Sequence, residues 1–153
     1  MDVEVQLALF GRAALAALLG FVIGLEREYR GKAAGDRTFA LLAFAAAAIT
    51  ATGVEVFGLE GTSRVIQGVV AGVGFLGAGL IIRGSQTHVR GLTTAASSWA
   101  VTGVAILVGV GAYLTAALGT VLVLLILEFD AIPALRRIRD LAESGGADRD
   151  DEP

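Results

Sequence analysis

The chain has 153 residues, 55% of them hydrophobic and only 18% charged, and its mean hydropathy is +0.73. Soluble domains carry about 25% charged residues, so too few charges are present here to clothe a water-facing surface. Zero cysteine excludes disulfides, thiolate metal sites and cysteine nucleophiles together, and 21 glycines against 2 prolines, without a Gly-X-Y period, exclude collagen-like or Pro-rich disorder.

A transmembrane helix needs about 20 mostly apolar residues to cross about 30 Å of hydrocarbon. The first such run is Val5–Leu25, interrupted only by Arg12. Asp2 and Glu4 make its leading edge acidic and no small-residue cleavage site follows, so it reads as a retained helix and not as a signal peptide. A charged loop, Glu26–Arg37, leads to a second span near Thr38–Phe57. Gly58–Arg64 reads as a short polar loop, followed by a third span over Val65–Ile82 and a loop over Arg83–Arg90 that holds the chain's one histidine, His88.

Gly91–Leu127 is 37 residues without a charge. As one helix it would be about 55 Å long, so it must turn back. Gly109–Ala112 is the natural turn, giving helices near Leu92–Val108 and Tyr113–Phe129. The expected fold is therefore an all-α membrane protein with about five transmembrane helices in one domain, residues 1–132. Residues 133–153 form a short cytoplasmic tail, with an amphipathic segment over Ala134–Glu143 and a Gly- and Asp-rich end expected to be disordered.

Lys and Arg set the orientation. Nine of them (Arg27, Arg30, Lys32, Arg37, Arg83, Arg90, Arg136, Arg137 and Arg139) fall on one face of this arrangement, and only Arg64 falls in a loop on the other. The basic face is expected in the cytoplasm, with the N-terminus outside and the C-terminus inside. The lipid bilayer of the cytoplasmic membrane is the expected partner. A homo-oligomer and a membrane-protein partner stay open, and nothing points to nucleic acid or to a cofactor.

Several residues stand out from plain hydropathy. Arg12 lies inside the first span, where a charge is costly and ordinarily faces the protein or snorkels to the interface. Gln67, Glu55 and Glu128 are conceivable partners at different depths. At 100° per residue, Gly68, Gly72 and Gly79 share one face of the third helix, while Gly74 and Gly77 lie on another. Together with Gly20 and Gly24 they read as small-residue packing positions. Glu26, Asp36 and Arg37 crowd the basic end, where Asp36 suits a helix N-cap and Glu26 is the deepest carboxylate of a candidate surface site. Thr93, Thr94, Ser97, Ser98 and Thr102 suit hydrogen bonds to the carbonyl four residues back. No nucleophile–base pair accompanies them, so an enzyme is not expected. His88 has no second histidine at ligand spacing, and no metal is assigned.

The runs Leu19–Glu28, Gly35–Thr38, Gly72–Gly79 and Val89–Ala96, in this order, resemble the MgtC/SapB family of prokaryotic inner-membrane proteins. The resemblance covers roughly residues 7–128 and implies five transmembrane helices, a link to magnesium homeostasis and a regulatory role more than transport. Arg90, Thr93 and Thr94 lie in the last matching run and join the candidate site on that ground. Many members continue into a soluble ACT-like domain. This chain ends in a short tail, so that domain's functions do not carry over. Asp36 departs from the family, which commonly has an apolar residue before Arg37-Thr38. A cation transporter or channel formed by oligomerisation is the rival function.

Overall fold

The structure is a computed structural model, and it describes residues 1–83 and 89–128. His88, the segment over Ala134–Glu143 and the tail lie outside the described residues. The chain folds as α1 (Val3–Tyr29), α2 (Asp36–Leu80), β1 (Ile82–Arg83), β2 (Val89–Arg90), α3 (Leu92–Gly109) and α4 (Tyr113–Leu127). β1 and β2 pair antiparallel, Ile82 with Arg90 and Arg83 with Val89. The third span is expected to end at Ile82 and Arg83–Arg90 to be a loop, whereas the helix stops at Leu80.

α2 is not straight. Gly58, at φ 69° and ψ 177°, is non-helical and divides it into limbs of residues 36–57 and 59–80. The limbs fold back on each other: a Cβ on Gly53 would stand 3.1 Å from Val65 Cγ2. The expected loop over Gly58–Arg64 is thus almost wholly helical, with the turn confined to Gly58. Thr62 helps by donating its hydroxyl to the Gly58 carbonyl at 2.6 Å. The backbone geometry at Gly58 is open essentially to glycine alone. Gly58→Ala is therefore expected to destabilise the hairpin by about 1–3 kcal/mol, read as a fall in the thermal midpoint of the purified protein. An unchanged midpoint would show that the turn relaxes freely.

The other boundaries shift less. α1 runs on through Glu26 to Tyr29, so the charged residues expected in a loop form its last turn. α2 starts with Gly35 as N-cap and Asp36 as its first residue, which corrects the expectation of Asp36 as the cap. The turn between α3 and α4 falls at 110–112.

The first limb of α2 is the centre of the molecule. α1 lies against it near Gly20, α3 crosses it near Gly109, and the second limb folds onto it at Gly53. α4 rests on α3 and α1. The core is built mainly from small side chains, among them Ala16, Ala43, Ala46, Ala47, Ala105 and Ala116, with Ile23, Phe39, Val101 and Val108 filling the spaces between. Small residues let backbones approach closely, which is how helices gain packing energy when lipid removes the hydrophobic drive.

Large apolar side chains lie on the outside. Leu7, Phe10, Leu41, Phe75, Leu114 and Leu118 are all more than 60% exposed, whereas Thr50, Ser98 and Thr102 are fully buried. A monomer in water rarely exposes large contiguous apolar patches. In a bilayer the same arrangement places apolar groups in hydrocarbon and keeps hydroxyls within the protein. Ser98 and Thr102 donate there to carbonyls of α3, while the Thr50 hydroxyl has no partner among the described residues. α1, α2 and α3 are each long and apolar enough to cross a membrane; α4, with 15 described residues, is shorter.

Candidate functional site

The charged end of the bundle gathers the C-terminus of α1, the N-termini of α2 and α3, the β-pair and the C-terminus of α4. α1 and α2 meet there with almost no space between them. A Cβ on Gly24 would stand 2.5 Å from Asp36 Cα and 2.8 Å from the Gly35 carbonyl oxygen. One turn earlier, a Cβ on Gly20 would stand 2.5 Å from the Phe39 carbonyl oxygen and 2.7 Å from Ala43 Cβ. The glycines therefore bring the first loop onto the end of α1. Glu28 folds over the remaining gap, with Oε2 where a Cβ on Gly35 would fall.

Glu26 is the hub of this end. Its carboxylate takes two hydrogen bonds from the buried Arg27, one from Nε and one from Nη2 at 2.7 Å. Arg30 Nε lies 2.8 Å from Glu26 Oε1, and Arg30 Nη2 donates to Glu128 Oε2 at 2.6 Å. Arg30 thus ties the end of α1 to the end of α4. Desolvation works against the Arg30 charge, but the hydrogen bonds and charges of Glu128 and Glu26 outweigh it and hold the guanidinium above its ordinary pKa. Asp36 Oδ1 accepts from the Arg37 backbone N–H at 2.6 Å, while the Arg37 side chain is exposed.

Arg12 occupies a second locus, at the far end of α3. Its Nη1 donates to the Gly109 carbonyl oxygen at 3.0 Å. The partner is therefore a backbone carbonyl in the last turn of α3, in place of Gln67, Glu55 or Glu128. This geometry is favourable twice over, because the last carbonyls of a helix lack partners and a cation there meets the negative end of the dipole. Gly109 itself sits against the first limb of α2, where a Cβ would stand 2.7 Å from Thr50 Cβ. Arg12, α3 and α2 are joined at one point.

On α3, Ser97 donates to the Thr93 carbonyl at 2.7 Å, Ser98 to Thr94 at 3.0 Å and Thr102 to Ser98 at 2.8 Å. These hydroxyls are satisfied within their own helix. The glycines of the second limb divide. Gly74 and Gly77 face Trp99, where a Cβ would make ordinary contacts of 3.8–3.9 Å. At Gly68, Gly72 and Gly79 no other described element lies within 4 Å of a Cβ, so among the described residues nothing packs closely on their shared face. Gly68 and Gly72 line an apolar groove of about 480 Å³ between the two limbs of α2.

The role of Arg30 and Glu128 was not legible beforehand: Arg30 reads as plain positive-inside anchoring, and 98 residues separate the pair. The available signal was that Glu128 is the first charge after the long uncharged stretch, at the end that carries the basic residues. Among the described residues no group of three or more His, Cys, Asp or Glu is placed to hold a metal.

Long apolar helices, a small-residue interior and charges gathered at the helix ends define a helical membrane protein. The profile of the MgtC family matches residues 14–132, and the chain belongs to that family. It is 39% identical over 151 aligned residues to protein SrpB of Synechococcus elongatus, covering 90% of this chain and 82% of SrpB. It is 40% identical over 109 residues to protein MgtC of Salmonella typhimurium and 42% over 109 residues to protein MgtC of Brucella abortus. Those matches cover 71% of this chain but only 46% and 45% of the two MgtC proteins. The chain thus spans most of SrpB and about half of MgtC. No solved structure matches it.

Proposed function

We propose that this protein crosses the cytoplasmic membrane five times, with its basic end in the cytoplasm, and acts as a small regulatory or interaction protein in magnesium homeostasis. The magnesium link comes from the family and the two MgtC relatives. The observation that favours regulation over transport is where the carboxylates lie. Glu26, Glu28, Asp36 and Glu128 stand at the basic end, and Glu55 and Glu60 flank the Gly58 turn. Cation pathways ordinarily use carboxylates or exposed carbonyls at membrane depth, whereas the described interior is lined mainly by alanines and by α3 hydroxyls bonded within their own helix.

The rival reading is a cation channel formed by several copies. It is favoured by the open Gly68, Gly72 and Gly79 face, against which a second copy would pack.

One paired experiment separates the two. The chain is expected to restore growth at low magnesium to a host strain lacking its own MgtC, while the purified protein in liposomes passes no magnesium. Failure to restore growth at normal membrane levels would contradict the magnesium role. Magnesium flux in liposomes would establish the channel.

A further inference from the structure

A cavity of about 600 Å³ opens at the basic end, walled by the α1–α2 loop at Gly31 and Lys32, the end of α2 at Leu80, and the start of α3 at Arg90, Gly91 and Thr94. Two cations from different elements therefore line one space. Like charges brought together repel, so such a pair is stable in company with an anion. Of the nearby carboxylates, Glu26 and Glu128 hold Arg27 and Arg30, Asp36 accepts the backbone N–H of Arg37, and Glu28 lies over Gly35 outside the cavity lining.

The backbone adds to this. Gly91 has φ 93° and stands so close to the Leu80 carbonyl that a Cβ would collide with it. It starts an 18-residue helix with no side-chain cap and no acidic residue in its first turn. Ala95 N–H bonds the Gly91 carbonyl, and the N–H groups of the preceding turn belong to the orphan donors of a helix start. The Thr94 side chain, 4% exposed, completes the wall.

The geometry points to an anion site for a phosphate group, held by Lys32, Arg90 and the first turn of α3. A guanidinium fork and backbone donors match phosphate oxygens, and the cavity has room for a phosphate bearing a substituent. The phosphate comes from an anionic lipid headgroup or from solution. This inference goes beyond the magnesium reading and does not depend on it.

The test uses the full chain, stripped of lipid in a neutral detergent and followed by calorimetry and by its thermal midpoint. The probes are inorganic phosphate and, separately, short-chain phosphatidylglycerol below its micelle concentration. The wild type is expected to bind. Lys32→Gln and Arg90→Gln should each weaken binding about tenfold through loss of one charge-assisted contact. Arg37→Gln, which removes an exposed cation outside the cavity on the same face, should bind as the wild type does. Lys32 lies on a loop, so its variant keeps the test informative if Arg90→Gln fails to fold.

Binding of phosphatidylglycerol alone assigns a lipid headgroup, and binding of inorganic phosphate, with or without the lipid, assigns a soluble ligand. Binding of neither overturns the site. So does an Arg37→Gln variant that weakens binding as much as the cavity variants, because the effect is then general surface charge.

Discussion

Gly24→Leu and Gly20→Leu are expected to abolish the folded protein or to cost at least about 3 kcal/mol, the upper end of ordinary overpacking. The new side chain would meet backbone, which cannot swing aside. The Gly24 Cβ falls 2.5 Å from Asp36 Cα, and the Gly20 Cβ falls 2.5 Å from the Phe39 carbonyl oxygen. Making room would part α1 from the first limb of α2, the central contact of the bundle. Gly72→Leu is the control. Its Cβ enters open space, so the isolated chain should keep its stability within about 0.5 kcal/mol. Size-exclusion profiles and thermal midpoints in detergent read all three. Equal damage from Gly72→Leu and Gly24→Leu would show that packing of the second limb, between copies, matters as much as the α1–α2 contact.

Arg12→Leu is expected to insert normally yet lose about 1.5–3 kcal/mol, the range for a hydrogen bond to a charged group. The loss arises because the Gly109 carbonyl no longer has the guanidinium that stands 3.0 Å from it. Arg12→Lys keeps the charge but not the planar fork, and should recover part of the stability. A lipid-facing arginine behaves in the opposite way, since its replacement by leucine relieves about 2.5–3.5 kcal/mol on insertion scales. Membrane levels and thermal midpoints measured together decide the case. A more stable, better-inserted Arg12→Leu protein would contradict the interior hydrogen bond.

Helix existence was legible because hydropathy and charge report directly on it. Val5–Leu25 and the uncharged run from Gly91 to Leu127 each carry a strong periodicity-free apolar signal. The reversal at Gly58 was placed correctly in the chain, but its form was not: a polar Gly-Ser-Arg stretch reads as a loop, while one glycine in an unusual conformation suffices and helix resumes at once. The extension of α1 through Tyr29 was hidden for a similar reason, since charge ends the apolar run without ending the helix.

The candidate site was half visible. Glu26, Asp36, Arg37 and Arg90 announce themselves by clustering at the basic end. The Arg30–Glu128 link joins the ends of the first and last described helices, and no local pattern encodes such a contact. Glycine spacing was equally ambiguous. Gly20 and Gly24 abut another backbone, while Gly68 and Gly72 share an equally regular spacing and face open space. Spacing defines a face, and only the neighbouring element decides whether anything packs on it. Arg12 illustrates the same limit: a search for carboxylate partners overlooks a helix-end carbonyl.

The five-crossing arrangement with its basic end inward is tested most directly by reporters that fluoresce or are enzymatically active on only one side of the membrane. They would be fused before Met1, after Glu60 beside the Gly58 turn, and after Arg139. The N-terminal and Glu60 fusions are expected on the outer side and the Arg139 fusion in the cytoplasm. N-terminal and Arg139 fusions on the same side would require an even number of crossings and contradict the account.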